Sequence, residues 1–392
     1  MFYGIGLSQN VISIYLTPLA DALSLNRTAV SIFPSCINFA CTLGLFFVGG
    51  IYNRISTRLA FAIAGIAMGL GYIIFSMNLG FMPIVWGSVI VGIGKAVGST
   101  VPVSILVTEW FVKKKGTILG FCMMGSGFGS MIFSPIASLM IEKLGLWNAL
   151  LIHGIVMIVL TIVAFFLVKN SPYDIGEVPY GLENENNSNK EDVLYGKKFR
   201  DIYRTKNFVG FAFVIFVIGF IINSNNIQMA SFLISKGISI INAGIALSVF
   251  GAAMIIGKLV TGIICDTIGM RKTNIYMFTI LILALAISFI VNSWFVFGLL
   301  FAFAFGFANP IATVPIPIWI VDLYGTLDFK QIYSNLMILF MLGSSIGTMF
   351  VGFIADVFNS YAPSFGFCIL LSVVSFIIMR NIYNKSAIIS SK

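Results

Sequence analysis

A chain of 392 residues that is 59% hydrophobic and only 9% charged cannot close into a water-soluble globule, because it has too little polar surface to cover so much apolar volume. A mean hydropathy of +1.02 puts it in a bilayer, and the formal net charge of +9 then belongs to basic loops against anionic lipid rather than to a nucleic-acid surface. Cys36, Cys41, Cys122, Cys265 and Cys368 show no paired spacing, which excludes a disulfide framework or metal cluster and leaves five small apolar residues. No nucleophile, base and orienting acid can be assembled, so neither an enzyme nor a bound cofactor or metal is predicted.

Apolar stretches of about 18 to 25 residues can each cross about 30 Å of hydrocarbon as helices that satisfy their own backbone groups. Twelve are expected, centred near Ser8, Phe39, Met68, Ala96, Phe128, Met157, Gly219, Gly251, Leu283, Ala308, Ser344 and Val373. The first starts almost at Met1 with no lead-in, as a shifted start codon or a truncation would leave it. Met1 to Leu19 lacks the basic start and small-residue cleavage site of a signal peptide, so it reads as a membrane helix. Asp21, Asn26 and Arg27 form the first external loop before the second span, Ala29 to Gly49.

Orientation follows from the basic residues. With both termini inside, 18 of the 23 Lys and Arg fall on the cytoplasmic side, Arg27, Lys143 and Lys236 fall outside, and Lys95 and Lys258 lie within the membrane. A multi-pass plasma-membrane protein with cytoplasmic termini is expected, as in a bacterial inner membrane. One long hydrophilic segment, 169–207, separates six spans (1–168) from six more and a short cytoplasmic tail (208–392). Its Asn/Glu-rich run, Glu183 to Asp192, reads as a flexible linker.

The two halves are related. Gly125-Ser-Gly-Phe-Gly-Ser-Met131 in the fifth span matches Gly343-Ser-Ser-Ile-Gly-Thr-Met349 in the eleventh, and Gly49, Asn53 and Arg58 match Gly262, Asp266 and Arg271. The expected fold is therefore an all-α membrane protein of twelve transmembrane helices in two pseudo-symmetric six-helix bundles, the architecture of alternating-access carriers. The glycine pairs are small-x3-small packing motifs. Lying at membrane depth with no preceding strand and no Gly-Lys-Ser/Thr ending, they are not phosphate loops.

The spacing Gly262, Asp266, Gly269, Arg271, Lys272 resembles the loop signature of the major facilitator superfamily. That resemblance implies a gate, in which Asp266 pairs with Arg271 or Lys272, or faces the positive end of a neighbouring helix. The plain alternative is a basic loop that only sets topology. In the first-half copy Asn53 replaces the acid and Ser56 the glycine, with Arg58 kept, so an ionic latch is expected from the second half. A second stretch, Trp110-Phe-Val-Lys-Lys-Lys-Gly116 followed by Gly120, Gly125 and Gly129, together with Ser171-Pro172 and Pro179-Tyr-Gly181, is similar to monocarboxylate and oxalate:formate transporters.

Lys258 lies eight residues before Asp266, where members of that family commonly place an arginine that meets the substrate carboxylate. Lysine replaces a bidentate fork with a point charge. The proton-coupled branch carries an acid one turn earlier; Met254 stands there, which favours exchange or facilitated passage over proton symport. Lys95, in Gly92-Ile-Gly-Lys-Ala-Val-Gly98, is the other cation at depth, on a span that lines the central cavity in this superfamily. A cation there costs about 2.5 to 3.5 kcal/mol on insertion scales, and no acid lies at comparable depth, since Glu109, Asp322 and Asp328 sit at span ends. Either each lysine snorkels or bonds carbonyls, or the pair awaits an anion.

Neutral polar groups are candidates to complete such a site: Gln9, Asn10 and Tyr15 in the first span, Asn309 in the tenth, and Asn226 in the seventh-span cluster Asn223, Asn225, Asn226 and Gln228, which alternatively marks the external end of that helix. Asn309-Pro310 with Pro315 and Pro317 is expected to interrupt the tenth helix. His153, the single histidine, falls in a span that is peripheral in this fold and reads as a helix-interface residue. The expected function is secondary transport of small organic anions, mono- or dicarboxylates, by a monomer in the lipid bilayer, with a counter-anion or proton as the other partner. The alternatives are an exporter of lipophilic compounds, whose cavity needs no unpaired lysine, and a non-transporting membrane sensor on the same scaffold.

Overall fold

A computed structural model describes residues 2–98, 103, 106–107, 110–111, 115–180, 196 and 198–390, without the side chains of Tyr3, Asn53, Lys115, Thr117, Leu119, Asp266, Lys330 and residues 385–390. Nine π-helical residues, Phe2–Asn10, lead into α1 (Ile12–Ala22). There follow α2 (Arg27–Arg54), α3 (Thr57–Ser76), α4 (Phe81–Gly98), α5 (Lys115–Leu144) and α6 (Leu146–Leu167). The second half holds α7 (Lys206–Ser235), α8 (Ile240–Ile268), α9 (Met270–Ile287), α10 (Phe295–Ala308), α11 (Pro315–Tyr324), α12 (Phe329–Val357) and α13 (Ala362–Ser390).

Eleven helical stretches among the described residues are long and apolar enough to cross a membrane. The π-helical lead-in and α1 together make the other expected crossing, too broken to count as one helix. The tenth span is interrupted where proline requires it. Pro310 and Pro315 lack the N–H that a continuous ladder needs, and α10 passes through a 3-10 turn, Asn309–Ala312, into α11.

Span ends are set by polar caps and by two tight glycine turns. The Asn26 side chain accepts from Ala29 N at 2.8 Å, Thr205 from Phe208 N at 3.3 Å and Ser239 from Asn242 N at 3.3 Å, each satisfying an otherwise orphaned amide at a helix start. Single residues, Gly145 and Gly269, join α5 to α6 and α8 to α9 with φ of +81° and +76°, a region L side chains rarely adopt. Gly269, expected in a gate, thus has a turn to make. Gly262, its companion in the same motif, has nothing within 4 Å of where a Cβ would stand, so packing does not explain it.

Within each half the same contacts recur one repeat apart. In the first, Gly44 meets Ala96 and Gly92 meets Ile37 O and Ala40, closing α2 on α4; in the second, Gly257 meets Phe307 O and Pro310 and Gly306 meets Phe250 O and Ala253, closing α8 on α10. Gly129 packs on Gly6 and Gly347 on Phe220, so the glycine motifs of the fifth and eleventh spans do bring backbones together. By these matches the counterpart of Lys95 is Asn309. The halves meet along α2 with α12, α5 with α8, and α1 with α7. Outward faces are apolar, with Phe46, Phe47, Trp86, Phe121, Phe166 and Trp294 exposed, as the lipid-facing surface of a multi-pass protein requires.

Between α6 and α7, the described part of the connection docks on both halves. Tyr180 N donates to Trp110 O at 2.9 Å, and its ring lies against Phe111. Phe199 N donates to Asp328 Oδ2 at 2.7 Å, and Gly196 pairs with Gly325. The run Glu183 to Asp192, and Lys113 and Lys114 of the basic run, lie outside the described residues.

Candidate functional site

Both lysines at membrane depth are buried, Lys95 at 1% and Lys258 at 8% exposure, so neither snorkels to a surface. Each is directed to a junction between the halves. Lys258 Nζ, on α8 of the second half, donates to Ser126 Oγ at 3.0 Å and Met123 O at 3.1 Å, both on α5 of the first. Lys95 Nζ, on α4, donates to Asn38 Oδ1 of α2 at 2.8 Å, and Asn38 Nδ2 in turn donates to Ser344 Oγ of α12 at 2.9 Å. Among the described residues, every one of these partners is neutral. The two hydrogen bonds to Lys258 are together worth about 3 to 6 kcal/mol and the described one to Lys95 about 1.5 to 3 kcal/mol, of the order of the insertion cost of the charge. They leave the charge itself unbalanced.

The amide candidates of the first and seventh spans come together as a parallel seam between α1, with its lead-in, and α7. Gln9 Nε2 donates to Asn223 Oδ1, and Asn226 Nδ2 donates to Asn10 Oδ1 at 3.1 Å. Asn10 Nδ2 reaches Ser126 O at 3.2 Å, which joins the seam to the Lys258 partners. Further along, Ala230 N donates to Ser13 Oγ and Thr17 Oγ1 to Ser231 Oγ, each at 3.0 Å. Asn223 and Asn226 therefore line the junction of the halves and do not simply mark a helix end, whereas Asn225 turns into its own half and donates to Ile221 O at 2.7 Å. Gln228 Nε2 joins α7 to α2 through Ser31 Oγ at 2.6 Å.

Other candidates stand elsewhere. Tyr15 is fully buried within the first half, its hydroxyl 3.2 Å from His153 Nδ1, and Tyr72 stacks on the same imidazole with ring centroids 4.5 Å apart. That geometry commits Tyr15 to holding α1 against α6, and gives His153 the helix-interface place expected of it. Asn309 is buried at the break of the tenth span.

The described bonds of Arg271 and Arg58, at the α8–α9 turn and its first-half copy, stay within their own half or reach the start of the connection. Arg271 donates to Asn384 Oδ1 of α13. Arg58 donates from Nε to Phe165 O, with its guanidinium 4.0 Å from the Phe165 ring centroid, and its backbone N–H donates to Asn170 Oδ1 at 2.9 Å. Lys272 is exposed, and the side chains of Asp266 and Asn53 lie outside the described residues.

A latch the sequence did not announce ties the halves at the opposite end. Asp356, at the end of α12, accepts from the backbone N–H of Arg27 at 3.0 Å and of Thr28 at 2.6 Å, and from the Thr28 hydroxyl. A carboxylate from the second half thus caps the positive end of α2 in the first. Arg27 Nη1 donates back to Ala355 O at 3.0 Å and lies 5.3 Å from the Tyr361 ring centroid. An acid in the last turn of a helix is disfavoured by the helix dipole unless something else holds it, and that misfit was the available signal.

A helical membrane protein of two related bundles, with hydrogen bonds running along each junction between them, has the build of a carrier whose halves can part. The chain belongs to the Major Facilitator Superfamily, whose family model matches residues 2–239 and 211–387; its relatives are transporters and not enzymes. It is 25% identical over 276 residues to the uncharacterized MFS-type transporter YcxA of Bacillus subtilis (strain 168), covering 69% of this chain and 64% of YcxA. It is 21% identical over 355 residues to monocarboxylate transporter 12 of Mus musculus, covering 84% of this chain and 72% of that one. Among solved structures, nucleoside transporter NupG superposes with a TM-score of 0.75 at 12% identity, covering 96% of this chain and 97% of that one, a likeness of fold alone.

Proposed function

We propose that the chain is a secondary transporter of small organic anions, mono- or dicarboxylates, working by alternating access in exchange or facilitated passage. Its halves, 1–168 and 208–392, rock about Lys95 and Lys258, with 169–207 as the connection. The observation that carries this reading is that both ammonium groups are buried with neutral partners, Lys258 directly across the junction of the halves and Lys95 one helix back from it, joined through Asn38. A carboxylate at about 4 Å from an ammonium gains about 4 kcal/mol at an effective dielectric of 20, more than a neutral hydroxyl or amide supplies. A carboxylate can therefore compete with Ser126 or Asn38 for the ammonium, its Coulomb gain being set against the cost of its own desolvation. The likeness to a monocarboxylate transporter points the same way. An exporter of lipophilic compounds gains nothing from two charges left unbalanced at this depth.

The bias of basic residues to one face supports a plasma-membrane orientation with Arg54, Arg58, Arg271 and both termini cytoplasmic and Arg27 and Asp356 outside. The decisive experiment is counterflow into proteoliposomes with labelled formate, lactate, oxalate and succinate, with and without a pH gradient. Uptake that requires an internal carboxylate is expected. Uptake driven by the gradient alone would point to proton coupling, and no uptake of any acid would remove the carboxylate assignment.

A further inference from the structure

We infer that Ser126 and Ser344 are positioning residues: they hold the two buried ammonium groups across the junction of the halves until a carboxylate takes them, so that the empty carrier is latched by its own lysines. The inference rests on the carboxylate reading for its cargo and on independent geometry for the latch. The two serines occupy the same place in the repeat, after the first glycine of Gly125-Ser126 and Gly343-Ser344. Both are buried, at 4% and 0% exposure.

The lysines, by contrast, are not repeats of each other. The glycine contacts that match α2–α4 to α8–α10 make Asn309 the counterpart of Lys95, and they place Lys258 one residue after Gly257, the counterpart of Gly44. Duplication therefore does not account for the arrangement. Two ammonium groups from inequivalent positions converge on an equivalent pair of hydroxyls, Lys258 directly at 3.0 Å, beside its 3.1 Å bond to Met123 O, and Lys95 through Asn38, by bonds of 2.8 and 2.9 Å. Each tie also crosses between the halves, from α8 to α5 in one case and from α4 by way of α2 to α12 in the other.

A carboxylate bound to either ammonium removes that tie. A cargo that pairs with one ammonium leaves the other tie closed. An empty carrier keeps both and reorients slowly, which makes exchange the favoured mode over net leak. Ser126 and Ser344 need not touch the cargo in this scheme; they set what the cargo must displace.

The test uses spin labels at Ala22→Cys and Val357→Cys, on opposite halves, in full-length protein whose five native cysteines are replaced. Distance distributions are read in liposomes with and without formate, lactate, oxalate or succinate. In the otherwise unchanged protein, the separated population is expected to rise only when an acid is added. In Ser126→Ala/Ser344→Ala it is expected to be raised about tenfold without any acid, the worth of a lost hydrogen bond to a charged group, and to change less than twofold when acid is added. Ser126→Thr, which keeps the hydroxyl, should behave as the parent.

A double variant that stays closed and still responds to acid overturns the latch and leaves the carboxylate reading standing. A parent unresponsive to every acid, with a double variant that opens, supports the latch and overturns the carboxylate reading. Opening in Ser126→Thr equal to that in Ser126→Ala also overturns the latch, because space and not the hydroxyl would then be the cause. If the double variant does not fold, each single alanine variant is read the same way, with about half the logarithmic shift.

Discussion

The two long junctions between the halves, α5 with α8 and α2 with α12, are repeats of one another, yet they are fastened differently. At α5–α8 the backbones themselves touch. A Cβ on Gly251 would stand 2.6 Å from Gly127 O, and Ser130 Oγ and Ser248 Oγ donate to Leu247 O and Met131 O across the seam. Lys258 is the only charge among its described contacts. At α2–α12, Gly352 packs on Ser31 in the same manner, but Asp356 caps α2, and the lysine sits one helix back and acts through Asn38. The difference teaches that one junction is closed by shape and the other by charge, so they should answer to different perturbations.

The largest effect should come from breaking the shape-closed junction. Gly251→Leu puts a side chain against backbone atoms that cannot rotate away. Overpacking of that kind costs about 1 to 3 kcal/mol or more, so a separation of α5 from α8 by roughly one to two orders of magnitude in population is expected, read as distances between labels on the two helices.

At the charge-closed junction, Asp356→Asn keeps the shape and removes the anion. Disulfide formation between Ser31→Cys and Gly352→Cys, whose Cβ atoms would lie about 3.1 Å apart, should slow about tenfold, in line with a charge-assisted bond of about 1.5 to 3 kcal/mol. The same substitution should leave the α5–α8 distance almost unchanged, and a change at both junctions would show that they are not separate fastenings. A smaller effect is expected from Asn226→Leu, which removes one neutral rung of the α1–α7 seam. A two- to tenfold rise in opening follows from about 0.5 to 1.5 kcal/mol. Smallest is Arg271→Ala: because Arg271 is bonded to Asn384 in its own half, cross-linking at Ser31/Gly352 should change less than twofold.

What the sequence made legible follows from how each property is encoded. A span is an average over some twenty residues, so twelve crossings, the interruption at Asn309-Pro310 and the relatedness of the halves could all be read from hydropathy, proline and glycine. The burial of Lys95 and Lys258 was legible for the same reason. Their partners were not, because a hydrogen bond depends on the rotation of each helix, which turns about 100° per residue, and on how two bundles are set against one another. Tyr15 illustrates the limit. A few positions along the first span separate a residue at the junction, Asn10, from one packed on His153.

The spacing of Asp266, Arg271 and Lys272 is conspicuous in the sequence, and the side chain of Asp266 lies outside the described residues. Asp356 ties the halves at the opposite end; it belongs to no motif and is recognised only when its place at the unfavourable end of a helix is weighed.

The central claim is that the charge of Lys258 is kept for a carboxylate. It is tested most directly by Lys258→Met in carboxylate counterflow, alongside the unsubstituted protein in the same vesicles, with folding checked by an unchanged melting temperature or an increased one. A loss of at least a hundredfold in exchange is predicted, corresponding to about 2.7 kcal/mol or more. Exchange at the unsubstituted rate in a folded Lys258→Met protein would contradict it.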